Sequence, residues 1–488
     1  MNRRKRLALA SHLAVAGLCC LSAFFLTFGR LIESVNADTL MSCLVSLIHW
    51  TPFAWEQNRF GSLLPWLAQW LRHPLYNYVA QTWLNCFLGV AAFFLAAALV
   101  VPGRRGLLAG AVGFAAWVLF FPALATYNYF YIGQPYAASI ALFLAAAHVF
   151  KTISMDQLLS LKSWKSWLLI GAGLFLAHWV NLGLAPAGFA LIGLYAWQRR
   201  RWRWAFFGAA ATLAFAANWW IMQWARYTNK DQTQLLAFVP WLNNLFAMTR
   251  LLWEENIAEP FWSLGVLAVA GALLAWGSWS GLKRAGLLRS TLPFWGAGLF
   301  FYLLAADLKW VEVNDHSPRY ITHSLFFFFV AMGIAMVAMA PWKIKAMRRS
   351  LWFFLFVLLL LPPAVRYGLP STSLPRRFLE ERFGAYTAQI LEWDPAGMIG
   401  DYWRVWPTVF HVHWKQLETG KPSEFFGLSH RSFSTRHMWE KRMRPGARLV
   451  ALEGDSDLEK YLSVYQVSPV RELERKKGMI LLEIGQKE

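Results

Sequence analysis

Charge is what this chain has least of. Asp, Glu, Lys and Arg make up 15% of its 488 residues, against about 25% in an average soluble domain. Acids are the scarcer half, 27 against 47 bases. That shortage excludes an ordinary soluble enzyme. Disorder is excluded too, because 57% of the residues are hydrophobic and disordered chains are apolar-poor. Cysteine is nearly missing: Cys19, Cys20, Cys43 and Cys86 are the four. None has CxxC or Cys/His metal spacing, so neither a disulfide framework nor a zinc site is expected. The chain lacks GxxxxGK[ST] and GxGxxG, and with them the phosphate cradles of ATP-driven transport and dinucleotide chemistry. It has no repeat with a period of roughly 20–50 residues and no low-complexity tract.

What is present is a series of apolar runs. Between Leu7 and Val365, runs of about 15 to 24 residues alternate with short polar connections. At ~1.5 Å per helical residue such a run matches the ~30 Å hydrocarbon core of a bilayer. The expected fold is therefore an all-α polytopic membrane protein of about 11 transmembrane helices, with interfacial helices in the first external loop. A small C-terminal α/β external domain follows. The expected spans are 7–28, 77–101, 107–124, 135–150, a short hairpin over 167–198, 204–224, 261–281, 291–306, 321–341 and 351–365. The hairpin is interrupted by His178, Asn181 and Gly183, a break allowed at membrane depth only where protein or water covers it. MNRRKR before the first run resembles a signal peptide, but no small-x-small cleavage site precedes a soluble domain, so that run is read as an uncleaved anchor.

The net charge of +20 follows topology rather than a nucleic-acid partner. The N-terminus and alternate loops hold 20 bases and one acid, Asp156, while the intervening loops hold 8 bases and 10 acids. Lys and Arg mark the cytoplasmic side. The N-terminus is thus expected in the cytoplasm of a bacterial inner membrane and the C-terminal domain in the periplasm. A Pro- and Ser-bearing linker, PPAVRYGLPSTSLPRR, divides 1–365 from 366–488. In the tail, RLVAL (448–452) and GMILLEIG (478–485) read as strands, and DLEKYLSVY (457–465) reads as a helix.

The external loops carry the candidate chemistry. ADTLMSCLVSLIHW (37–50) places Leu40, Leu44, Leu47 and Ile48 on one helical face, and SLLPWLAQWL repeats apolar residues with Trp66 and Trp70. Such helices lie flat in the headgroup zone. WEQNRFG forms a polar bend between them. An enzyme acting on a lipid-linked substrate needs that arrangement, with its tail in hydrocarbon and its headgroup among polar residues. Asp38 is a candidate general base for an acceptor hydroxyl; a carboxylate complementing a helix N-terminus is the plainer alternative.

An acid in the first external loop, about eleven spans, flat interfacial helices and an external tail together resemble the GT-C class of membrane glycosyltransferases. That class includes the aminoarabinose transferase of lipid A, protein O-mannosyltransferases and a galacturonosyltransferase-like group. The resemblance covers the architecture of nearly the whole chain, and its motif here is Asp38 in NADT. It implies transfer of a sugar from a polyprenyl-phosphate donor to an envelope lipid, glycan or protein acceptor at the periplasmic face of the lipid bilayer. Many members carry further acids in these loops, whereas Asp38 has no acidic neighbour. A divalent metal fits the class but is not indicated by these residues, so the cofactor is left undetermined.

A donor phosphate needs cations, and Arg suits bidentate phosphate contact. Arg319 in HSPRY and Arg59 in WEQNRFG are the candidates, with Lys309 and His316 in support; snorkelling at the interface is the alternative for each Arg. Tyr131, Gln134, Gln57 and Glu255 are the candidates for sugar or acceptor binding. Tyr131 and Gln134 stand in a cluster with Tyr127, Tyr129 and Tyr136 that an aromatic belt explains equally. His411 and His413 form an i, i+2 pair suited to a strand-borne metal site, but no carboxylate or Cys completes it at usual spacing. Two rival functions are a carrier or flippase for a lipid-linked glycan and a non-catalytic GT-C-like assembly partner.

Overall fold

The computed structural model describes residues 3–55, 57–121, 123–130, 132–154, 157, 163–199, 202–224, 234–257, 289–339, 347–421, 424–429, 446–454, 458–464 and 467–486. The expected span at 261–281 lies outside them. The chain forms two compact units. One comprises Met1–Leu31, Trp83–Tyr131 and Pro135–Pro370; the other comprises Ile32–Thr82, Ile132–Gln134 and Ser371–Glu488. The segment Ile32–Thr82, expected as the first external loop, therefore folds with the C-terminal tail.

The first unit is helical. Its helices are α1 (Arg3–Phe28), most of α4 (Pro74–Val100), α5 (Arg104–Phe120), α6 (Ala123–Phe130), α7 (Tyr136–Thr152), α8 (Trp164–Val180), α9 (Leu184–Arg199) and α10 (Trp204–Trp224). They continue with α11 (Phe238–Ile257), α12 (Leu292–Ala306), the single turn α13 (Lys309–Val313), α14 (Thr322–Met339) and α15 (Met347–Tyr367). Among the described residues five helices are long and apolar enough to cross a membrane: Ala10–Phe28, Pro74–Val100, Trp204–Gln223, Pro318–Ala338 and Ser350–Tyr367. Leu213, Trp197, Trp202 and Trp220 are exposed, as side chains facing lipid would be.

Small residues bring α5 and α14 together. A Cβ at Gly333 would lie 2.4 Å from the carbonyl oxygen of Ala109 and 2.7 Å from the amide of Gly113, so the backbones meet where no larger residue fits. Helix α15 contains Pro362 and Pro363. Proline at 363 has no N–H for the carbonyl of Leu359 four residues earlier. Ser22 of α1 fills that role, its Oγ donating to Leu359 O at 2.9 Å. The expected hairpin is two helices, α8 and α9, separated at Asn181–Gly183. Asn181 Oδ1 accepts from the Gly183 amide at 2.8 Å, so the side chain satisfies the interrupted backbone.

Bases of the expected cytoplasmic loops cap helix ends. Lys151 Nζ donates to Ala98 O and Leu99 O at 3.1 and 2.9 Å, and Arg203 donates to Ile153 O at 2.7 Å. Cations at helix C-termini complement the exposed carbonyls and the dipole.

The second unit holds α2 (Ala37–Leu47), a hairpin of β1 (Phe53–Ala54) and β2 (Gln57–Gly61), α3 (Leu63–Ala68) and the first turns of α4. The tail adds α16 (Leu374–Phe383), α17 (Thr387–Trp393), α18 (Tyr402–Glu418) and α19 (Leu458–Val464). Its sheet consists of β3 (Gly397–Ile399), β4 (Phe426–Leu428), β5 (Arg448–Leu452), β6 (Val467–Lys476) and β7 (Met479–Gln486), in the order β4-β3-β5-β7-β6. β3 is parallel to both neighbours, while β5, β7 and β6 run antiparallel in turn. The α/β reading of the tail is met, including both expected strands and the helix between them.

Candidate active site

Asp38 lies in the first turn of α2, behind an Asn36 cap whose side chain accepts from the Thr39 amide. Both are ordinary features of a helix start. The rest of α2 corrects the expectation of a helix lying flat among headgroups. Every residue from Ala37 to Ser46 is buried, so its polar stripe at i, i+4 and i+8 needs partners inside the protein. Ser42 Oγ donates to Gln81 Oε1 at 3.2 Å, and Gln81 Nε2 donates to Asn77 Oδ1 at 2.7 Å. Asn77 Nδ2 in turn donates to Ser46 Oγ, at 2.9 Å, and to the carbonyls of Ala68 and Leu71. Trp66 of α3 and Trp70 just after it do face outward, 53% and 75% exposed.

The third member of the stripe, Asp38, is 2% exposed. Its Oδ1 accepts a hydrogen bond from the phenol of Tyr402, the first residue of α18. Tyr402 is fully buried and also touches Met41 Sδ at 3.6 Å. Nothing in the sequence marked Tyr402, because 364 positions separate the pair. Asp401 starts α18 by accepting from the Trp403 amide at 3.0 Å. The helix is pinned to the loop hairpin by Trp406 against Trp55, 5.8 Å between centroids.

The remaining candidates divide between the two units. Arg59 and Gln57 lie on β2 with side chains outside the described set, as is that of Glu255 on α11; Tyr131 is outside it entirely. Gln134 is buried in the second unit. In the first unit, Arg319 donates to Tyr320 Oη at 2.7 Å and Asn314 Oδ1 at 3.3 Å and lies over the Tyr320 ring. Lys309 begins α13, and His316 occupies the left-handed turn after it, at φ 58°. All three are half-buried on one short segment.

Three of the clustered tyrosines depart from the aromatic-belt reading. Residues 123–130 form α6, and Tyr127, Tyr129 and Tyr136 are core residues. Tyr129 donates to Gly89 O at 3.0 Å among Phe93, Trp117 and Phe326. Rings packed inside the protein do not form an aromatic belt. The i, i+2 histidines are helical, not strand-borne, and so point away from each other. His411 Nδ1 pairs with Thr387 Oγ1 at 2.8 Å and His413 Nε2 with Phe425 O at 2.6 Å. Burial, aided by the Lys415 ammonium, pulls the His411 imidazole down to about 4, which keeps it neutral. Among the described residues no group of three His, Cys, Asp or Glu is placed to hold a metal.

No protein-family model and no curated protein matches the chain. Among solved structures it is similar to ArnT from Cupriavidus metallidurans bound to undecaprenyl phosphate, at 13% identity over 99% of this chain and 98% of that one, with a TM-score of 0.49. The apo state of the same protein aligns at 12% identity over 97% and 98% of the two chains, with a TM-score of 0.46.

Proposed function

We propose that the chain is a GT-C type glycosyltransferase of a bacterial inner membrane. It would move a sugar from a polyprenyl-phosphate donor to an envelope lipid, glycan or protein at the periplasmic face. The observation that carries this reading is the position of Asp38: an acid of the first external loop, buried and held by hydrogen bonds within a folded polar setting. The sequence resemblance gives such an acid the role of general base toward the acceptor hydroxyl, opposite the leaving phosphate. Arg319, with Lys309 and His316, offers cationic and hydrogen-bonding groups to a donor phosphate, and Arg59 does so from β2. Gln57, Gln134, Tyr131 and Glu255 remain proposed contacts of sugar or acceptor. The eleven-span topology, with its transmembrane part over 1–365 and its external part over 366–488, belongs to the same proposal.

Replacing Asp38 by Asn tests it. General-base removal costs about 10²–10⁴-fold, so surface glycans should fall to background in cells expressing Asp38→Asn at the wild-type level. Unchanged glycans would turn the assignment toward a carrier. One observation favours a second reading, that of a non-catalytic assembly partner. Asp38 is nearly inaccessible and its carboxylate is bonded within the protein, as in a purely structural clamp. A clamp predicts that Asp38→Asn lowers the amount of folded protein, whereas a base predicts normal protein and no transfer.

A further inference from the structure

We infer that Tyr402 is a positioning residue for Asp38, so that the C-terminal tail supplies an essential part of the loop-1 site. The inference rests on the general-base reading and adds to it the group that aims the base. A carboxylate on a two-bonded side chain is a poor base unless its orientation is fixed, since proton abstraction needs heavy atoms within about 2.6–3.2 Å. The backbone of Asp38 is fixed by the helix start of α2 and the Asn36 cap. Rotation of the carboxylate is restrained by a donor at one oxygen, and Tyr402 Oη is that donor at Oδ1.

A phenol bonded to a carboxylate could instead be a plug, occupying the place of an acceptor hydroxyl and swinging aside on binding. The setting of Tyr402 favours a fixed post. Its ring is fully buried, with Trp403 edge-on at 5.2 Å and 86°. Its backbone is held by the Asp401 cap. Along α18, Trp406 packs on Trp55, and Lys415 is clamped by Glu380 and Glu418 at 2.7 and 3.0 Å. Moving the phenol away requires its ring to leave a fully buried place packed against Trp403, at the start of a helix anchored at several points.

The test uses the full chain purified in detergent, with polyprenyl-phosphate-linked sugars extracted from the host's membranes titrated as donor and surface-glycan fraction as acceptor. Tyr402→Phe should lower kcat about 10- to 100-fold, the scale seen when a partner orienting a functional group is removed. KM for the donor should not change, while the melting midpoint falls, because loss of the phenol leaves a buried carboxylate oxygen without that donor. Asp38→Asn with Tyr402→Phe should be no slower than Asp38→Asn alone, because groups acting as one unit are non-additive. Wild-type turnover in Tyr402→Phe beside an inactive Asp38→Asn overturns the positioning role and leaves the glycosyltransferase reading standing. Faster turnover in Tyr402→Phe also overturns it, in favour of a plug. Wild-type turnover in Asp38→Asn defeats the general-base reading itself. If Tyr402→Phe does not fold, 4-aminophenylalanine at 402 restores a donor at the same place. Wild-type turnover there supports the role, and slow turnover in a folded protein overturns it.

Discussion

At the scale of single residues, the buried polar groups of the second unit show how burial decides a side chain's behaviour. His411 is the clearest case. Its imidazole sits at about 4, below the ~6.5 of an unfolded chain, so the folded state prefers it neutral. Below pH ~6.5 the unfolded chain binds the proton more readily, and stability is lost as pH falls toward 4 and levels off beneath it. Lys415, Glu380 and Glu418 are the charges that act on it, the first opposing and the others favouring protonation. The loss is on the order of 3 kcal/mol from this group. Thermal melts of the full chain in detergent between pH 7 and 4 should show that decline, and His411→Gln should flatten part of it. An equal slope in both proteins would mean that His411 does not titrate there. Asp38 was visible in the sequence as a candidate, but its partner was not, because Tyr402 comes from a segment 364 positions along the chain. Arg319 instead bonds to its near neighbours Asn314 and Tyr320.

Helices were the most legible elements, since a long apolar run in a membrane protein has few structures open to it. The runs at 7–28, 77–101, 204–224 and 351–365 appear as α1, α4, α10 and α15 within a few residues. The misreadings have a common cause: composition gives polarity, not location. TYNYF carries tyrosines that suit an interface, yet α6 takes them inward, where Tyr129 finds the Gly89 carbonyl. HVH alternates like a strand, but the amphipathic length of α18 makes it helical. Glycine at a helix crossing was also silent until the partner was known. Gly333→Ala places a methyl at 2.4 Å from Ala109 O, a backbone atom that cannot yield as a side chain would. Overpacking of this kind costs about 1–3 kcal/mol, so the variant should show a lower melting midpoint and a poorer yield of monodisperse protein. Ala at Gly17, where a Cβ meets nothing within 4 Å, should leave both unchanged. Equal behaviour of the two variants would refute the close α5–α14 crossing.

For the molecule as a whole, the proposed orientation rests on where the bases lie. Alkaline phosphatase, active only outside the cytoplasm, should be active when fused after Glu488 and inactive when fused at Arg200. The reverse pattern would invert the topology and remove Asp38 from the periplasmic side. The sequence by itself determined the class of protein, because hydropathy and charge asymmetry act through local length and composition and need no knowledge of distant contacts. It also determined two of the tail's strands, β5 and β7, and the helix α19 between them, whose patterns are local signals. Tertiary structure alone decided that the first external loop folds with the tail, that α2 is buried on every side, and that the acid of loop 1 is held by a phenol from α18. Those outcomes depend on which surfaces exclude water together. No short-range pattern in a chain encodes that, since the free energy of burying a polar stripe is set by the partners that arrive to meet it.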